Sequence, residues 1–283
     1  MDKFQEIKNN HLALTQYYRW YQVYELPFNT ARINNQLDIL SEDVEISSQA
    51  GTTKGKDGLA DRLKIFEGWQ NAHHVKNTQV QLEDENTLRL EADILYQNIR
   101  PDDSRYSYTI HYSTLLNLRE SDLPVFKTVT IQPTGVIENP EFTAAYADNR
   151  AKSFMHYWLY LMETIESNAP KFEELLAEKF ELNMSTNPKI ETLEKFQEWA
   201  SSIPTRIKSS GHFPKNLIVK ENQDQTIEVS VDFEWQGVSI DDKPMIAETH
   251  HDWTLENNLD ERFARMKTMT VTQTKPFQIV ETK

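Results

Sequence analysis

The sequence predicts an α+β protein built from two tandem copies of one domain, residues 1–138 and 139–283. Three observations carry that expectation. A segment of the first half recurs in the second without a gap. Each half opens with apolar residues at helical spacing. Each half then runs into long stretches that alternate apolar and polar residues, the pattern of antiparallel strands with one wet face.

The repeat is the firmest of the three. When Asn77 is laid on Asn216, Thr87 falls on Thr226, Asp93 on Asp232 and Gln97 on Gln236. Apolar residues meet at Val80/Val219, Leu88/Ile227, Leu90/Val229, Ala92/Val231, Ile94/Phe233 and Tyr96/Trp235. The same register puts His73 on His212 and His111 on His250. With small shifts, Lys127-Thr-Val-Thr-Ile131 meets Lys267-Thr-Met-Thr-Val271, and Phe4, Trp20 and Glu25 meet Phe142, Trp158 and Glu163. Small shifts mean short loop insertions in one duplicated fold. The join is expected at the turn dipeptide Asn139-Pro140.

The elements follow in order. Tyr17, Trp20, Tyr21 and Tyr24 predict the first helix of one copy, and Phe154, Trp158, Leu161 and Ile165 that of the other. A shorter helix is expected through Ile33, Leu37 and Leu40, and through Phe172, Leu175 and Leu176. A brief strand, Val44–Ile46 or Phe180–Leu182, comes next. A third helix spans Leu59–Phe66 or Leu193–Trp199, and four longer strands close each copy. Helices first and strands after argue for α+β over a parallel α/β sheet.

Composition narrows the function classes. The chain carries 30 Lys and Arg against 44 Asp and Glu, a net charge of −14. That balance lacks the basic face that nucleic acid or an anionic membrane requires, so neither is expected as a partner. With no cysteine, thiolate metal sites and cysteine nucleophiles are excluded. The start Met-Asp-Lys-Phe-Gln-Glu has no apolar signal stretch, which predicts a cytoplasmic protein. Neither His-Glu-x-x-His nor a two-histidine, one-carboxylate spacing is present, so no metal and no cofactor are expected.

The element order, with Gly55-Lys-Asp-Gly-Leu59 leading into the third helix, resembles the nuclear transport factor 2-like superfamily. The His-x-x-x-Asn start of the first long strand, His73–Asn77 and His212–Asn216, is similar to its SnoaL-like branch. The resemblance covers nearly the whole chain, twice. It implies two cone-shaped domains, each a strongly bent, mostly antiparallel sheet wrapped around about three helices, with an apolar pocket at the open end. It also implies that His73 and His212 sit near the pocket mouth. Family members include cofactor-free isomerases, dehydratases and polyketide cyclases, along with proteins that catalyse nothing. Cyclases of the SnoaL type use a sheet aspartate, and the last strands here carry no carboxylate.

Candidate residues follow from type and phase. Histidine is the side chain suited to proton transfer near neutral pH, so His73, His212 and His251 are the catalytic candidates. His251 shares its strand phase with Trp253 and Leu255 on the expected pocket side, where the first copy has Tyr112. His111 and His250, with Asp93 and Asp232, fall on the opposite face. Tyr17, Trp20, Tyr21, Tyr96, Tyr112, His156, Trp158, Trp235 and Trp253 are the ligand-binding candidates. Two readings stay open. One is binding of a small apolar ring compound with cofactor-free acid/base chemistry. The other is a structural or interaction module whose two copies pair within the chain, homo-oligomers also being allowed.

Overall fold

The computed structural model describes all residues except Met1, Ala50, Ser121, 139–140, 165–168, 186–188 and 281–283. The expected join at Asn139-Pro140 and the helix position Ile165 lie outside the described residues.

The first half holds helices α1 (Lys3–Trp20), α2 (Gln22–Glu25) and α3 (Thr30–Gln36), then strands β1 (Leu40–Ser48) and β2 (Gly51–Lys54) and helix α4 (Leu59–Leu63). Four long strands follow: β3 (Gln70–Asp84), β4 (Thr87–Ile99), β5 (Arg105–Arg119) and β6 (Asp122–Val136). The second half has α5 (Tyr146–Thr164), α6 (Ala169–Phe172), β7 (Leu176–Asn183) and α7 (Leu193–Ser202). It closes with β8 (Ile207–Glu221), β9 (Thr226–Ser239), β10 (Pro244–Glu256) and β11 (Arg265–Ile279).

Each half makes one mixed sheet, in the order β2-β1-β6-β5-β4-β3 and β7-β11-β10-β9-β8. The four long strands of each sheet pair antiparallel, and among the described residues only β1 on β6 and β7 on β11 run parallel. The fold class is the α+β one that the sequence predicts. The registers coincide as well: Asp93 faces His111 across β4 and β5, and Asp232 faces His250 across β9 and β10. Ala92 faces Tyr112 and Val231 faces His251 by the same rule, so Tyr112 and His251 are equivalent positions. Alternation sets the buried face, since Leu88, Leu90, Ala92 and Ile94 are buried in one sheet and Ile227, Val229, Val231 and Phe233 in the other.

Two details differ from the sequence expectation. The short helix of the second half is the single turn α6, because Leu175 and Leu176 pass directly into β7. The extra strand β2 pairs with β1 from Glu45–Lys54 to Ser48–Gly51, using a glycine at φ +111 that other residues rarely adopt.

By packing, the chain forms two compact units, Leu12–Ser153 and Met1–His11 with Phe154–Lys283. The start of α1, up to His11, therefore packs with the second unit, where Asn9 and His11 are buried. Gly211 on β8 makes this close approach feasible: a Cβ there would lie 2.6 Å from the Ile7 side chain.

Candidate functional site

Each unit contains a histidine locked to a carboxylate at a helix end. In the second unit, Glu163 sits in the last turn of α5 with its side chain fully buried. A helix C-terminus repels an anion, so the helix itself does not hold this carboxylate. The edge strand β8 does: Glu163 Oε1 accepts the backbone N–H of His212 at 2.6 Å and lies 3.2 Å from His212 Nδ1. An edge strand has N–H groups that no neighbouring strand takes. In the first unit, Glu25 at the end of α2 holds His73 on edge strand β3 in the same way, at 2.7 Å and 3.1 Å.

The surroundings of the two pairs diverge. His73 is 5% exposed at its side chain and is sandwiched between Tyr21, stacked at 4.4 Å, and Tyr96 at 4.9 Å. Tyr21 donates to the Tyr17 hydroxyl at 2.5 Å, and both rings stand edge-on to Tyr112. Trp20 completes this packing against Tyr24 and Phe126. Burial pushes the Tyr17, Tyr21 and Tyr112 hydroxyls well above their ordinary range, so they stay protonated. Tyr17, Trp20, Tyr21, Tyr96 and Tyr112 thus fill the interior of the first unit.

In the second unit the positions of Tyr21, Tyr24 and Tyr112 are Leu159, Met162 and His251. The smaller or more pliant side chains leave a cavity of about 370 Å³. Trp158, Leu159 and Met162 wall it from α5 and Trp199 from α7, with His212, Trp235, His251 and Trp253 from the sheet. Met184, Met245, Met269 and Phe277 add soft apolar surface, while Ser185, Ser210, Thr249 and Arg206 give it a few polar groups. A mostly apolar cavity with sparse polar groups is the general form of a small-molecule site. Trp235 reaches its place because Gly237 has no side chain; a Cβ there would come 2.4 Å from the indole.

The polar groups here are distinct in state. His251 Nε2 meets the Thr249 hydroxyl at 3.0 Å, whereas its Nδ1 is buried with no hydrogen-bond partner. Desolvation, followed by repulsion from His212 and His250, lowers its pKa to about 3, so it is a neutral imidazole. The indole N–H of Trp253 is likewise buried and unpartnered. For Glu163, burial alone would raise the carboxyl, but His11 and then His212 outweigh it and hold the group below its usual range. It is therefore a carboxylate.

Of the sequence candidates, His212, His251, Trp158, Trp235 and Trp253 line the cavity and His73 does not. His156 lies behind the wall, with its Nδ1 2.8 Å from that of His11. Sequence reasoning passed over Glu163, although it matches Glu25 in the repeat beside a helical apolar stripe. It also passed over His11 and the four methionines, which bear no motif. His111 and His250 are held by carboxylates on the other sheet face: Asp93 at 2.8 Å and Glu91 at 3.0 Å, and Asp232 at 2.7 Å. These contacts, Asp93 and Asp232 foremost, raise both pKa values.

Among the described residues no helix is long and apolar enough to cross a membrane. No protein-family model matches the chain, and no curated protein matches it in sequence. Solved structures similar to it include a type 2 hexachlorocyclohexane dehydrochlorinase, LinA, at 8% identity and a TM-score of 0.42, covering 47% of this chain and 88% of its own. The LinA-type3 dehydrochlorinase of Novosphingobium barchaimii is similar at 8% identity and 0.41, covering 47% and 89%. ActVI-ORFA of Streptomyces coelicolor is similar at 14% identity and 0.38, covering 44% and 95%. Each of these matches covers a little under half of this chain.

Proposed function

We propose that the second unit binds a small apolar ring compound in its cavity and transfers a proton to or from it without a cofactor. The observation that carries this reading is the His212–Glu163 pair at the wall of an apolar cavity. Glu163 takes the Nδ1 proton of His212 in a hydrogen bond. The lone pair is then on Nε2, which makes His212 the candidate base. On accepting a proton from an acidic C–H or O–H of the bound compound, His212 becomes an imidazolium beside a buried carboxylate that stabilises it. His251, kept neutral, offers a hydrogen bond without adding a competing charge. Abstraction of one proton is the first step shared by isomerisation, dehydration and ring closure, so the reading covers these classes.

In the first unit, the filled interior around His73 favours a structural role for that copy. The candidate chemistry therefore rests on the His212–Glu163 pair and not on His73–Glu25. The test is a thermal-shift screen against aromatic ketones, phenols and isoprenoids, with hits followed by exchange of substrate hydrogen for deuterium. A ligand of the native state raises the melting temperature by mass action. Leu159→Tyr with Met162→Tyr, which places the first unit's side chains in the cavity, is expected to abolish the shift. His212→Gln is expected to keep binding and lose exchange. Shifts that survive the filled cavity would contradict the reading.

A further inference from the structure

Behind the His212–Glu163 pair lies a second pair of histidines that the proposed chemistry does not use. His11 comes from the N-terminal part of α1 and His156 from α5, and both are buried, at 3% and 6% exposure. Their Nδ1 atoms are 2.8 Å apart, and His11 Nε2 lies 3.4 Å from Glu163 Oε1. The chain of contacts therefore runs His156, His11, Glu163, His212, cavity.

Proton counting restricts its state. Two ring nitrogens at 2.8 Å hold one proton between them, because two donors or two acceptors would repel. His11 Nε2 faces a carboxylate oxygen and so carries a proton of its own. When the shared proton resides on His11, that ring is an imidazolium, with Glu163 on one side and neutral His156 accepting on the other. An opposite charge within a few ångströms favours the charged form of a ring, which the Glu163 carboxylate supplies here. Glu163 Oε2 is buried without a hydrogen-bond partner, which increases that demand.

The first unit supplies the control. At the positions of His11 and His156 it has Asn149 and Tyr18. The Asn149 amide donates to both Glu25 oxygens at 3.0 and 3.1 Å and to the His73 carbonyl at 2.9 Å. A neutral amide thus satisfies the carboxylate where no cavity is present, so a hydrogen-bond donor alone does not account for a histidine pair.

We propose that His11 and His156 are positioning residues for the cavity of the second unit: together they hold one proton next to Glu163, offset its charge, and keep His212 free to act as a base. This rests on the reading of His212 given above. With the offset in place, the full field of Glu163 does not pull a proton onto His212 before a ligand arrives. The titratable groups placed against His212 are Glu163 from α5, with His11 from α1 behind it, and His251 from β10.

The test is a histidine side-chain NMR titration of the full chain without ligand, so it stands apart from any failure to find a substrate. In His11→Asn, which copies the first unit, the His212 midpoint is expected to move up by about one pH unit, a tenfold change in proton affinity. His156→Leu, which removes the acceptor for His11, should move it in the same direction by less. His156→Gln retains an acceptor and should leave the midpoint near that of the parent. Backbone shifts in the same spectra report whether each variant folds. Should His11→Asn fail to fold, His156→Leu against His156→Gln decides. A His212 midpoint that stays in place when either His11 is replaced or its acceptor is removed, in a folded protein, would overturn the proposal.

Discussion

The two copies hold a histidine and a glutamate in nearly the same geometry and surround them with opposite environments. Glu25 meets His73 N and Nδ1 at 2.7 and 3.1 Å, and Glu163 meets His212 at 2.6 and 3.2 Å. His73 is sealed between two tyrosines, whereas His212 is 17% exposed and borders a cavity. Recurrence of a polar pair therefore marks a feature of the fold, a helix end tied to an edge strand. What makes one copy a candidate site is the removal of bulk around it, at Leu159, Met162 and His251.

The comparison can be broken most severely at Glu25. Replacement by Leu leaves the His73 N–H and its Nδ1–H buried without their acceptor and leaves the Asn149 amide only the His73 carbonyl. A loss of about 3–5 kcal/mol is expected for breaking a buried, hydrogen-bonded charge, read by urea unfolding. A loss below 1 kcal/mol would mean that the pair does not anchor the first unit.

The next effect separates the copies by pH. His251 has a folded pKa lowered from 6.5 to about 3. Between those values the unfolded chain binds a proton that the folded chain does not, so stability falls as pH falls. The slope is at most about 1.4 kcal/mol per pH unit for one group. Glu163, whose folded pKa is also lowered from 4.5, adds its own acid loss only at lower pH. His251→Tyr, which restores the residue of the first unit, should flatten the stability curve between pH 6.5 and 4.5. An unchanged slope there would contradict a buried neutral imidazole.

Gly237 sharpens the comparison at the cavity wall. The equivalent position in the first copy is Asn98, beside Tyr96 instead of Trp235. Gly237→Ala should displace the indole at a cost of about 1–3 kcal/mol, as overpacking does, with a change in tryptophan fluorescence. If the fluorescence did not change, the close approach would not be what seats Trp235. The smallest effect is expected at Asp232→Asn on the opposite face. There the His250 midpoint should fall toward its ordinary value with little change in unfolding, since the pair is solvent-accessible.

Much of this fold was legible from residues. The gapless match of Asn77–Gln97 with Asn216–Gln236 gave the duplication, and alternation through Leu88–Ile94 gave the buried face. The single turn α6 was not legible, because Phe172, Leu175 and Leu176 fit helical spacing while Leu175 lies in a turn and Leu176 opens β7. His212 and His251 could be singled out by residue type and strand phase. The link from His212 through Glu163 to His11 could not, because His11 and His156 lie 145 positions apart in sequence. Nor does any motif announce a cavity: it arises where a Tyr in one copy is a Leu or Met in the other, which reads as an ordinary apolar exchange.

The most direct test of the central claim is the stoichiometry of ring-compound binding. Calorimetric titration of the full chain with 2-naphthol should give one site per chain. That site should be lost in Leu159→Tyr with Met162→Tyr and kept in Tyr24→Phe. Two sites per chain, or one that persists in the filled variant, would contradict the account.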